Sequence, residues 1–191
     1  MQDAAHWSPD PPYHAVRFYE NDKSLAQIVG DFLREGLVKD QPAIVVAAAP
    51  HRAAILRELI GKGLDVVQLQ HSGDLVLLDA QDTLDTFMTD GNPDAARFNE
   101  AMCEIIRKAC RGRPNCTLRV YGAMVDVLWR KGKREAAIRL EMLWNKLAAS
   151  EAFSLLCGYA MGNFYKDAHF DEICRQHTHV IGANGKSRNV A

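Results

Sequence analysis

The chain has 191 residues, 48% of them hydrophobic and 25% charged, and its 23 basic and 24 acidic side chains leave a formal net charge of -1. That is enough sequence for one domain with a single substantial core, and the balanced charge argues against a nucleic-acid or anionic-membrane footprint. The N-terminal stretch MQDAAHWSPDPPYH has neither a basic n-region nor an apolar h-region, and no run is long and apolar enough to span a bilayer, so a cytoplasmic protein is expected.

Residues 1 to 13, with SPDPP, read as a flexible tail, and the domain begins at residue 14. Residues 15 to 19 (AVRFY) form a short β-rich run, and Asp22 can cap a helix whose apolar face is Leu25, Ile28, Val29, Phe32 and Leu33, with Gly36 as its stop. Residues 43 to 49 (AIVVAAA) are continuously apolar, as in a strand covered on both faces, and Pro50 ends them. Ile55, Leu56, Leu59 and Ile60 mark a second helix, Val66 to Leu69 a small strand, and Leu75 to Leu78 a stronger strand ending in Asp79.

Leu84, Phe87 and Met88 imply a short helix closed by the turn signal DGNP, and Pro93 suits the first turn of a helix carrying Phe98, Met102, Ile105, Ile106 and Ala109. A strand follows from Thr117 to Tyr121, then a helix pair from Met124 to Ala149, a strand from Phe153 to Cys157 and a last helix around Phe170 to His177. Residues 182 to 191 are polar and read as a second flexible tail. Strands alternating with helices predict a three-layer α/β domain over residues 14 to 181, with a mainly parallel sheet and a ligand site past the carboxyl ends of its strands.

Those ends carry Tyr19 and Glu20, His51 and Arg52, Asp79, and Gly122 with Ala123. Tyr19 and Glu20 follow a strand directly at the expected cleft, and His51 with Arg52 opens a helix whose N-terminus attracts anions. In the run from Arg119 to Leu156, Arg119 and Tyr121 stand on a strand, and the helix after them carries Glu141, Trp144 and Asn145 on its inner side. Buried polar groups of that kind need partners, so Glu141 is either the salt-bridge partner of an Arg or part of a pocket edge with Asn145, and Trp144 either anchors the core or borders a ligand.

No catalytic set is evident: there is no G-x-S-x-G elbow, and ENDKSL after the first strand lacks the glycines of a phosphate-gripping loop. Cys103, Cys110, Cys116, Cys157 and Cys174 are odd in number and lack C-x-x-C spacing, which fits reduced thiols. Cys174, His177 and His179 form C-x2-H-x-H. Only Cys174 and His177 share a helical face, and further ligands would have to come from elsewhere, such as His169 or His14. No metal and no cofactor are expected.

Several word-length motifs together resemble one family. They are HAVRFYEND at 14 to 22, AAPHRAAIL at 48 to 56, LVLLDA at 75 to 80, DGNPDAARF at 90 to 98, RVYGAMVDVLW at 119 to 129, IRLEMLWNKLA at 138 to 148 and FSLLCGY at 153 to 159. The chain is identified by them as similar to the MEDS domain, a sensory domain of methanogen and methylotroph regulators. The resemblance implies a degenerate RecA/KaiC-like fold without its phosphate-binding loop, and Ala123 where the family pattern carries an acid. It also implies a non-enzymatic sensor of a small molecule such as a hydrocarbon derivative, acting in signal transduction or transcription through a protein partner or self-association. Two other readings stand beside it: a residual nucleotide-binding protein, and a ligand-free scaffold or adaptor.

Overall fold

The structure is a computed structural model that describes residues 12–160, 162, 170–181 and the backbone of 187–189. In chain order the elements are β1 (His14–Tyr19), α1 (Asp22–Leu37), β2 (Ala43–Ala47), α2 (Ala49–Gly61), α3 (Val66–Ser72), β3 (Leu75–Asp79), α4 (Ala80–Asp85) and the short β4 (Met88–Thr89) and β5 (Asn92–Pro93). There follow α5 (Ala95–Cys110), β6 (Leu118–Gly122), α6 (Met124–Arg130), α7 (Arg134–Ala148), β7 (Phe153–Ala160), α8 (Phe170–Arg175), β8 (His179–Ile181) and β9 (Ser187–Asn189).

The main sheet has the order β3-β2-β6-β7-β1-β8-β9. All its neighbours pair parallel except β8 and β9, so the expected three-layer, mainly parallel α/β architecture is what the chain adopts. Strand alternation divides the core in two. Val16, Phe18, Ile44, Val46, Val120, Leu155 and Cys157 face α4 to α7, whereas Ala15, Tyr19, Val45, Tyr121 and Leu156 face α1 and α2. The chain leaves β1 toward one face and β6 toward the other, so the carboxyl ends of β1, β7 and β6 lie where the direction of the connections reverses.

Several local expectations are corrected. Asn21, not Asp22, caps α1: its side chain accepts from the Ser24 amide at 2.9 Å, and Asp22 is the first helical residue. Gly36 does not stop α1, which runs on to Leu37; a Cβ at position 36 would lie 2.4 Å from Arg119 Cγ, so the glycine is where α1 lets Arg119 pass. Pro50 sits in the first turn of α2 instead of closing a strand. Val66 to Leu69 are helical because Asp65 accepts from the Gln68 amide and Gly73 adopts the left-handed conformation at the other end.

Met88 and Pro93 pair across a tight turn in which Asp90 and Gly91 take φ of 51° and 80°, leaving Asp94 to cap α5. Tyr13, assigned to the N-terminal tail, is buried and donor-bonded by Arg119 at 3.0 Å, and residues 187–189 of the assigned C-terminal tail form β9. Cys110 and Cys116 form a disulfide with Cα atoms 5.8 Å apart, against the expectation of reduced thiols. The chain folds back between them through left-handed Arg111, Gly112 and Asn115. Among the described residues no helix is long and apolar enough to cross a membrane.

Candidate functional site

The carboxyl ends of β1, β6 and β7 are drawn together by Asp126, in the first turn of α6. Its Oδ1 accepts from the Ala160 amide at 3.0 Å, and its Oδ2 accepts from the Tyr19 hydroxyl at 3.2 Å and lies 2.8 Å from Arg130 Nε. Arg130 Nη2 also donates to the Tyr19 oxygen at 3.0 Å. Burial and the neighbouring Asp126 charge push the Tyr19 phenol well above its ordinary value, so it remains a donor. His51 stands with its ring centroid 6.1 Å from that of Tyr19, and its Nε2 lies 3.2 Å from Asp22 Oδ1.

Beside this network lies Tyr121, on β6. It is fully buried, its hydroxyl has no hydrogen-bond partner among the described residues, and burial first, then Tyr19 and Asp126, raise its pKa far above that of a free phenol. Gly158 on β7 makes the room: a Cβ there would come within 2.8 Å of the Tyr121 hydroxyl oxygen. Leu25, Ala123 and Leu156 belong to the same apolar cluster as Tyr121. His51 Nδ1 is a second buried polar atom without a partner among the described residues. The strand ends thus hold, beside an apolar cluster, one hydroxyl and one imidazole nitrogen that are unsatisfied among the described residues.

The other residues singled out from sequence separate. Glu20 is exposed. Arg52 donates to Asp79 Oδ2 at 2.7 Å, to the Leu78 carbonyl at 3.3 Å and to the Ala47 carbonyl, so it ties the ends of β2 and β3 together and is not held ready for an anion. Arg119 lies at the opposite end of the sheet, under α1, where it reaches Tyr13, Gln41 at 3.2 Å and Glu35 at 3.3 Å. Trp144 is a core anchor, packed edge-on against Phe98 and Phe153 at 5.1 and 5.8 Å between centroids.

Glu141 and Asn145 belong to a second centre, on the α7 face. Glu141 has no arginine partner among the described residues. Its carboxylate accepts from the Tyr159 hydroxyl at 2.8 Å and lies 3.2 Å from His14 Nε2 and 3.4 Å from His177 Nε2. Cys157 Sγ is 3.4 Å from both the His14 nitrogen and Glu141 Oε2. Burial pushes the Glu141 carboxyl up, but His177 and His14 outweigh it and hold it well below the usual carboxylate range. His177, which shares a helical face with Cys174 in the sequence, is grouped with His14, Glu141 and Cys157, and that group does not include Cys174. His169 lies outside the described residues.

Asp126 and Arg130 escaped the sequence reading, although a buried acid four residues before an arginine on a short helix after a strand is a legible pair. An open groove of about 680 Å³ lies elsewhere, at the amino end of the sheet, lined by Glu100, Cys103, Arg107, Arg113 and Glu151.

A doubly covered parallel sheet with only Glu20 and Asn21 between β1 and α1 defines a P-loop-type α/β domain without a phosphate loop. The family model described as MEDS, "MEthanogen/methylotroph, DcmR Sensory domain", matches residues 13–178, and the chain belongs to that family. Among solved structures it is similar to a KaiC-like protein from the hyperthermophilic archaeon Pyrococcus horikoshii OT3, with a TM-score of 0.58, 12% identity, and coverage of 89% of this chain and 71% of that one. That likeness concerns the fold, and it agrees with the RecA/KaiC-like architecture expected from sequence. No curated protein matches the chain at a significant level.

Proposed function

We propose that this chain is a non-enzymatic sensor that binds a small organic molecule at the carboxyl ends of β1, β6 and β7 and relays its presence to a regulatory protein partner. The sensory family supplies the class of function. The observation that carries the site is the Tyr121 hydroxyl, fully buried in an apolar cluster and without a hydrogen-bond partner among the described residues. A buried hydroxyl without a partner costs about 1–3 kcal/mol, a cost that a ligand acceptor atom would remove. The fitting ligand has one hydrogen-bonding head and an apolar body, as a simple hydrocarbon derivative does. α1 and α6 both begin at these strand ends, so a ligand that reorders Tyr19, Asp126 or His51 acts on two helix starts at once.

Nucleotide binding is disfavoured by the same geometry. At the α1 N-terminus, where a phosphate would sit, the Asn21 side chain occupies the Ser24 amide and the Asp22 carboxylate repels an anion. Native mass spectrometry of the protein taken from its source cells tests the proposal. One small organic molecule per chain is expected, reduced or lost on Tyr121→Phe. Retention of ATP at millimolar concentration, with no other ligand, would overturn it.

A further inference from the structure

The second centre has the form of a metal-binding site. His14 on β1, Glu141 on α7, Cys157 on β7 and His177 beyond α8 are all buried, and one ligating atom from each lies within 4.8 Å of all the others. Around Glu141 Oε2, His14 Nε2 lies at 3.2 Å and Cys157 Sγ at 3.4 Å, with 3.4 Å between those two, close to the separations of neighbouring donors of a tetrahedral ion, about 3.3–3.8 Å for bonds of about 2.0–2.3 Å; His177 Nε2 approaches the other carboxylate oxygen, Oε1, at 3.4 Å.

The tautomers point the same way. Asn145 donates its Nδ2 to the Gln176 carbonyl at 2.8 Å, so its Oδ1 must accept, and His14 Nδ1, 2.8 Å away, must be the donor. His177 Nδ1 likewise donates to the Ile173 carbonyl at 2.7 Å. With Nδ1–H fixed on both rings the remaining electron pair is on Nε2, and both Nε2 atoms converge on the Glu141 carboxylate; without an ion a proton on Nε2 pairs with Glu141, and a bound ion takes the place of that proton, which leaves to solvent. Among the described residues His177 Nε2 makes no hydrogen bond of good geometry, its nearest polar neighbour being Glu141 Oε1 at 3.4 Å. Outer acceptors that fix Nδ1–H and leave Nε2 free are the usual supports of metal-ligating histidines, and Tyr159, donating to Glu141 Oε1, holds the carboxylate in the same manner.

We propose that His14, Glu141, Cys157 and His177 bind one zinc-class divalent ion in a closed, four-ligand structural site. Binding forms a metal–sulfur bond as the Cys157 S–H breaks and its proton leaves to solvent, with no change in oxidation state. Two neutral imidazoles, one carboxylate and one thiolate bring the net charge of the site to zero, which suits full burial. The ion would clamp β1 and β7 to α7 and to the segment after α8. The site uses no residue of the strand-end site, so either proposal can fail without the other.

The test uses the full chain, unfolded in chelator, refolded, and titrated with Zn(II) and with Co(II). One equivalent of zinc retained through gel filtration is expected, with a raised melting temperature. The Co(II) form should show the intense visible bands of a tetrahedral ion and a thiolate-to-metal band in the near ultraviolet. Cys157→Ala should abolish the thiolate band, Asn145→Ala should weaken zinc binding about 10- to 100-fold, and Cys174→Ala should change neither. If Cys157→Ala does not fold, the wild-type Co(II) spectrum and the Asn145→Ala affinity decide. Substoichiometric zinc, an octahedral Co(II) spectrum, or a thiolate band lost with Cys174 and kept without Cys157 would overturn the assignment.

Discussion

The Tyr19 hydroxyl donates to Asp126 at 3.2 Å across 107 positions of sequence, joining the end of β1 to the start of α6. Asp126→Ala would orphan this hydroxyl and the Ala160 amide and leave Arg130 without its carboxylate. We expect a loss of about 2–4 kcal/mol in urea unfolding. Tyr19→Phe, which removes the bond to Asp126 and the one from Arg130 but leaves the Asp126–Arg130 pair in place, should cost less, about 1–2 kcal/mol.

Gly36 and Gly61 are both helical, and alanine normally favours a helix over glycine by about 1 kcal/mol. At Gly61 a Cβ meets nothing within 4 Å, so Gly61→Ala should stabilise by up to about 1 kcal/mol. At Gly36 the new carbon would press on Arg119 Cγ, and Gly36→Ala should destabilise by about 1–3 kcal/mol. Thermal unfolding of the two variants should therefore move in opposite directions.

Arg119 separates fold from ligand. It is buried with Glu35, Tyr13 and Gln41 at the amino end of the sheet. Arg119→Met should cost about 2–4 kcal/mol in unfolding yet leave ligand retention in the folded protein unchanged.

The Arg52–Asp79 pair predicts a pH dependence. The hydrogen bond from Arg52 first, then the amides of Asp82 and Gln81, hold the Asp79 carboxyl below its ordinary value of 3.8. A depressed carboxylate contributes its stability in full above the unfolded value and loses it as pH falls through the folded one. Asp79→Asn keeps an acceptor at the α4 cap and removes the charge. Its stability deficit, about 1 kcal/mol or less, should be present at neutral pH and vanish in acid. A deficit constant from pH 7 to pH 2 would contradict this.

Much of the fold was legible in the sequence because apolar runs such as 43 to 49 and helical spacing such as Phe98, Met102 and Ile106 carry their own burial pattern. Gly36 was misread because a neighbour in space, Arg119, sets it, whereas Val66 to Leu69 are turned helical by the flanking caps Asp65 and Gly73, a signal present in the sequence and outweighed by the β-branched pair Val66 and Val67. Of the strand-end site, Tyr19, His51 and Tyr121 were legible from their positions on or just after strands. Asp126 was not, since its partners come from two other strands. The centre around Glu141 was hidden more deeply. Its ligating groups lie on β1, α7, β7 and the segment after α8, and no sequence spacing links them.

Replacing Tyr121 by phenylalanine most directly tests the central claim of a small-molecule site. Removing a hydroxyl without a hydrogen-bond partner among the described residues should leave the unfolding free energy unchanged or raise it by about 1 kcal/mol. In the same protein, native mass spectrometry should find the small molecule carried by the wild type reduced or gone. A wild-type chain that carries no such molecule, or a Tyr121→Phe chain that keeps it undiminished, would contradict the account.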